Sequence, residues 1–193
     1  MRDRWYHTYG YGNLRDYPLE DDKYGIEQLA DRYSFIDGSR VGIFGHSGGG
    51  FMSTAAICTY PDFYRAAVSS AGNHDNNIYN IWWGETHHGI KEKVVAEKRK
   101  VKNPVTGKDS TVTIEKVEFE KPNIPTNIEL AERLKGHLLL VAGDADDNVH
   151  PANTFRMVDA LIKAGKDFDL VILPGQGHKY HGKALDFFRR KMW

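Results

Sequence analysis

The chain has 193 residues, enough for one domain and too few for two comfortable ones. Lysine plus arginine number 26 and aspartate plus glutamate 26, so no charge bias points to nucleic acid or an anionic membrane. No stretch approaches the roughly 20 apolar residues of a membrane helix, and the single cysteine, Cys58, excludes an intrachain disulfide but says little about compartment, for which an exported or periplasmic bacterial protein is expected over a cytoplasmic one.

Residues 1–18 are rich in glycine and aromatics and read as loop. Apolar positions at Tyr24, Ile26, Leu29 and Tyr33 give residues 16–33 a helical pattern. Asp37-Gly38-Ser39 is turn chemistry, and 40–44 is an apolar run of strand length. Residues 51–60 read as a helix stopped by Pro61, with Cys58 a buried small hydrophobe among Ala55, Ala56 and Ile57. Residues 66–70 read as the next strand.

Residues 91–121 stand apart, with nine basic and six acidic residues and little core material. Asn103-Pro104 and Thr106-Gly107 are turn signals, and Val112, Ile114, Val117 and Phe119 alternate like a strand. The expectation is a solvated two-stranded arm that touches another domain or a second subunit of a homodimer; its mixed charge argues against nucleic acid. Beyond it come a short helix at 128–134, a buried strand at 137–142, a helix at 152–164 closed by Gly165, a strand at 168–173 and a final helix at 183–192. Strands alternating with helices imply parallel pairing through helical crossovers, and unbroken apolar runs suit strands covered on both faces.

Gly45-His46-Ser47-Gly48-Gly49 matches Gly-x-Ser-x-Gly. Three fixed residues are a weak match alone, but this one follows a strand and opens a helix, the setting of a nucleophile elbow. A serine on such a turn projects its hydroxyl outward, and the crowded turn calls for neighbours without side chains at Gly45 and Gly49. The following helix aims its first amides at the same space, so the Gly48 N–H can donate to an oxyanion. A phosphate cradle would want Gly-Lys-Ser/Thr, and no lysine follows.

Serine needs a base, and the base needs an orienting carboxylate. In an α/β-hydrolase they follow in the order Ser, Asp, His. Strand 137–142 runs into Asp144, Asp146 and Asp147, which spacing alone does not rank. Strand 168–173 runs into Pro174-Gly175-Gln176-Gly177-His178, which places His178 where the base belongs; His181 lies nearer the final helix. The other histidines, His87 and His88 among them, read as surface or packing residues. His178 and His181 lack a third ligand for a metal site, and the triad chemistry calls for no cofactor.

Gly45-His46-Ser47-Gly48-Gly49-Gly50, Gly143-Asp144-Ala145-Asp146-Asp147-Asn148-Val149-His150 and Gly175-Gln176-Gly177-His178 together resemble the catalytic domain of the prolyl oligopeptidase family, and within it the dipeptidyl peptidase IV branch. The resemblance covers nearly the whole chain outside 91–121. It implies an α/β-hydrolase fold, a mostly parallel sheet flanked by helices, with the N-terminal strands missing and a charged hairpin arm inserted. The family pattern Gly-x-x-Asp-x-x-Val selects Asp146 as the triad acid. Asn148 matches a residue that holds the substrate backbone. Tyr79 and Trp83 fall at positions that grip the P1 side chain, often proline, although the family more often has tyrosine at the second; the same rings also read as core packing.

The resemblance further implies parts beyond residues 1–193: earlier strands, a tyrosine hydroxyl completing the oxyanion hole, and an upstream β-propeller. On that expectation the chain is a catalytic fragment, weak or inert alone, with a sheet edge exposed near 40–44. The implied function is a serine peptidase that removes short peptides from N-termini with a proline-like P1 preference, through an acyl-enzyme. An esterase for acylated sugars would use the same triad, and a non-catalytic interaction module would keep it as a relic.

Overall fold

The structure is a computed structural model that describes residues 3–120 and 122–193; Lys121, the last residue of the expected arm, lies outside them. In chain order the elements are α1 (Arg4–Thr8), α2 (Leu19–Arg32), β1 (Val41–His46), α3 (Gly48–Thr59), β2 (Tyr64–Ser70), α4 (Ile81–His88), β3 (Lys91–Lys102), β4 (Asp109–Glu120), a 3-10 helix (Ile128–Arg133), β5 (His137–Gly143), α5 (Ala152–Lys163), β6 (Asp169–Leu173) and α6 (Gly182–Met192).

Four strands form one parallel sheet in the order β1-β2-β5-β6, flanked by helices, which is the α/β architecture expected. The pairings His46↔Ser70, Ser70↔Val141 and Gly143↔Leu173 bring the carboxyl ends of all four strands to one end of the sheet. In open parallel sheets that end is where ligands bind, because the loops leaving the strands gather there.

The two faces of β5 show how the layers divide. Leu138 and Leu140 pack with Ala55, Ala56 and Ile57 of α3 and with Met157 and Leu161 of α5. Val141, one position out of phase, packs with Leu173 and Tyr180 against Ala184, Leu185 and Phe188 of α6. The period of two along a strand thus places helices on both sides, and burial of these side chains supplies the main stabilisation. Strand β1 departs from the expectation of two covered faces. Its residues alternate between half-buried and exposed, Val41 and Ile43 facing the core while Phe44 is 62% exposed. It is the edge of the sheet, as expected near 40–44, and one of its faces is exposed.

Two short helices were not legible in the sequence. Asp3 caps α1 by accepting the Tyr6 N–H (3.1 Å) within a stretch that reads as loop. Helix α4 carries Trp82, Trp83, His87 and His88 with no single apolar stripe. Strands β3 and β4 form an antiparallel ribbon from Lys91↔Glu120 to Lys102↔Asp109, about 40 Å long at strand rise. Asn103 closes its turn, its side-chain carbonyl accepting the N–H groups of Val105 and Thr106. Opposite charges face one another at Lys91↔Glu120, Lys93↔Glu118 and Lys102↔Asp109.

Behind the sheet end lies a buried polar cluster. His74 is wholly buried; Asn127 donates to its Nδ1 (3.1 Å) and to the Phe51 carbonyl (2.8 Å), while Ser69 donates to the Gly50 carbonyl (2.7 Å). Burial pushes the His74 imidazole down to about 3. The unfolded chain takes up that proton near its ordinary value of 6.5, so between these values unfolding binds a proton and stability falls as pH falls. This group should cost up to about 1.4 kcal/mol per pH unit in that window. His74→Gln should be less stable near neutrality by about 1–3 kcal/mol and decline less steeply with acid. Urea midpoints of both proteins at about pH 7 and about pH 4.5 check this; parallel declines would contradict it.

Candidate active site

Ser47 lies between β1 and α3 at φ 60° and ψ −123°, a backbone that residues with a side chain rarely adopt. Both of its main-chain groups hold the turn. Its N–H donates to the Ser70 carbonyl (2.8 Å), and its carbonyl accepts the Phe51 N–H (3.0 Å). A Cβ at Gly45 would fall on the backbone of Gly49, and one at Gly50 would lie 2.5 Å from the Ser70 carbonyl oxygen. The expectation for Gly49 needs correction: a Cβ there would meet no atom within 4 Å. The crowding is at the Gly49 backbone and comes from position 45, while the second tight position is Gly50. Gly48, exposed, opens α3, where a helix leaves its first N–H groups without intrahelical partners.

The loops after β5 and β6 bring the other two groups to this turn. His178 Nε2 lies 2.9 Å from Ser47 Oγ, and His178 Nδ1 lies 2.9 Å from Asp146 Oδ2. With Nδ1–H donating to the carboxylate, Nε2 is left to accept the serine proton, which is the tautomer that proton abstraction needs. The second Asp146 oxygen accepts the N–H groups of Asn148 (3.0 Å) and Val149 (2.9 Å). The Asp146 side chain is 1% exposed and that of His178 18%, so the imidazole is open to solvent while the carboxylate is sealed from water. The competing residues lie elsewhere. Asp144 accepts the Gly175 N–H (2.6 Å) and ties two loops together, Asp147 is exposed, and His181 leads into α6 with its own N–H on Gln176 Oε1.

Tyr79 and Asn148, expected to contact substrate, touch each other: the phenol donates to Asn148 Oδ1 at 2.6 Å. Trp83 packs edge-on to Tyr79 with ring centroids 5.5 Å apart. His87 stacks on Trp83 and His88 is buried, so the histidine pair serves packing. One part of the site went unread in the sequence. His46, Ser70 and Tyr180 form a second linked set beside His178. The available signal was positional, since His46 precedes the serine and Tyr180 follows the histidine by two residues.

Residues 1–191 match the family model described as the prolyl oligopeptidase family. The chain is 29% identical over 160 residues to dipeptidyl peptidase 8 of Homo sapiens, covering 83% of this chain and 16% of that protein. It is 27% identical over 176 residues to prolyl endopeptidase FAP of Mus musculus, covering 91% of this chain and 20% of the other. Among solved structures, dipeptidyl peptidase 4 of Porphyromonas gingivalis shares the fold with a TM-score of 0.75 and 23% identity over 97% of this chain and 24% of that one. The chain therefore spans about a sixth to a fifth of the length of the curated relatives it matches.

The turn makes a prediction that separates two glycines of one motif. Gly45→Ala should destabilise the protein by about 1–3 kcal/mol or more, because backbone meets backbone and neither side can yield. Gly49→Ala should leave the thermal midpoint within a degree or two, equivalent to under about 0.5 kcal/mol. Thermal unfolding of the two variants checks this, and equal losses would show that the elbow is crowded in another way.

Proposed function

The chain belongs to the prolyl oligopeptidase family of serine peptidases, and from that premise we propose that Ser47, His178 and Asp146 are its catalytic triad, cleaving dipeptides from peptide N-termini with a proline-like P1 residue. The observation that carries this reading is the unbroken line of two 2.9 Å hydrogen bonds from Ser47 through His178 to Asp146.

Ser47 Oγ attacks the scissile carbonyl while His178 Nε2 takes its proton. The imidazolium that results is stabilised by Asp146, which stays ionised with its other oxygen on two backbone amides. The carbonyl oxygen becomes an oxyanion, and the Gly48 N–H at the head of α3 donates to it. Collapse expels the amine, which receives the proton from His178, and leaves an acyl group on Ser47. Water, deprotonated by the same histidine, then hydrolyses that ester and restores the serine.

Substrate placement falls to the residues around the Tyr79–Asn148 hydrogen bond. Asn148 receives the substrate backbone, and Tyr79 with Trp83 lines the P1 side. The Tyr79–Asn148 bond supports this pairing, and so do the names of the relatives, a dipeptidyl peptidase and a prolyl endopeptidase. On this reading residues 1–193 act as one catalytic unit with residues 91–121 inserted as an arm toward another domain or a second copy. A β-propeller and the second oxyanion donor belong to other parts of the intact protein.

The intact protein should release p-nitroaniline from glycyl-prolyl-p-nitroanilide. Ser47→Ala should lower kcat by a factor on the order of 10⁴–10⁶ with little change in KM. Hydrolysis unchanged in Ser47→Ala would remove Ser47 from the mechanism.

A further inference from the structure

The two hydrogen bonds of His178 lie in the plane of its ring and leave the ring free to tip about the line that joins Asp146 to Ser47. His46 meets the ring from outside that line. The two imidazoles stand 4.8 Å apart between centroids and are tilted by 48°, within the range of paired aromatic rings.

His46 is itself held. Its Nδ1 lies 2.9 Å from Ser70 Oγ, which shares a 2.9 Å hydrogen bond with the Tyr180 hydroxyl. The Tyr180 ring meets His46 edge-on, with centroids 5.6 Å apart and planes at 88°. Tyr180 is buried at 7% exposure, and its hydroxyl reaches the Val141 carbonyl (3.4 Å). The set closes on itself: His46 adjoins Ser47, Tyr180 is two residues past His178, and Ser70 also supplies the carbonyl that holds the Ser47 N–H.

We infer that His46 is a positioning residue, a ring that fixes the tilt of His178 and ties the loop of the base to the turn of the nucleophile. The inference rests on the reading of Ser47, His178 and Asp146 as a triad. A ring suits this task and a charge does not, because His178 becomes cationic during attack and a second cation 4.8 Å away would oppose it. The charged and titratable groups facing His46 are His178, Asp146 and Tyr180. Burial first, and then the His178 charge, hold His46 below the ordinary histidine value, while the His178 backbone and Asp146 pull the other way. The balance favours the neutral ring over the cation. Its place on a part-exposed edge strand lets the residue be replaced without opening the core.

The test uses the intact protein and glycyl-prolyl-p-nitroanilide, with Ser47→Ala as the control on the triad itself. If Ser47→Ala kept wild-type hydrolysis, the triad reading would fall whatever the His46 variants did. With that control inactive, His46→Ala should lower kcat by about 10- to 100-fold through misplacement of the base, with KM changed by less than about threefold. His46→Phe should recover kcat to within about fivefold of wild type, because it restores a ring against His178. His46→Lys should move the acid limb of kcat/KM to lower pH by about half a unit or more, because a fixed cation disfavours protonation of His178. A wild-type kcat in His46→Ala, equal losses in the alanine and phenylalanine variants, or an acid limb unmoved in His46→Lys would overturn the inference.

Discussion

Ser47 adopts φ 60°, and the contacts that enforce this angle organise the rest of the site. The bond from its N–H to the Ser70 carbonyl continues the β1–β2 pairing one step beyond the strand. The chain must then reverse into α3 within a single residue, so β1 and α3 approach closely enough that Gly45 faces the backbone of Gly49. Such a backbone is costly, on the order of 1–3 kcal/mol, and persists only when its surroundings over-determine it. Here the surroundings are polar and buried. Ser53, Ser69 and Asn127 donate to the carbonyls of Gly49, Gly50 and Phe51, the first turn of α3. The neutral His74 accepts from the same Asn127. The result is a serine hydroxyl at the sheet end, on a turn held by these buried polar groups.

The same end of the sheet explains why residues distant in sequence can act together. β5 and β6 end in register with β2, so the loops after them start from fixed points beside Ser70. Each loop then spends a side chain on its own shape. Asp146 accepts two amides of its own loop and keeps one oxygen for His178; Asp144 reaches across to Gly175. A carboxylate held by backbone donors cannot rotate freely away from the histidine, so its own loop fixes its place beside His178.

Much of this was legible in the sequence because it follows from strand ends. A glycine-flanked serine after one apolar run, aspartates after another and a histidine after a third can be placed on one sheet end from alternation alone. Ranking the aspartates could not follow from spacing, since Asp144 and Asp146 both make loop hydrogen bonds and differ in burial and in which neighbour they reach, neither of which spacing shows. Strand β1 misled for a related reason. Val41 and Phe44 are both apolar, but burial is decided by what lies across the face, and Phe44 is left to meet Trp193 edge-on. Helix α4 escaped because Trp83 packs sideways on Tyr79 and His87 while Trp82 is exposed, which gives no helical stripe. His46 escaped because its partners come from β2 and from the loop after β6, a juxtaposition that only the folded sheet creates.

The central claim is that Ser47 is the group that becomes acylated, and covalent trapping tests it most directly. The intact protein is treated with a fluorophosphonate, digested and mapped by mass spectrometry. The account predicts a single adduct on the peptide carrying Ser47 and a strongly slowed adduct in His178→Ala, because the serine then lacks its base. An adduct on a different residue, or labelling of Ser47 at the same rate without His178, would contradict it.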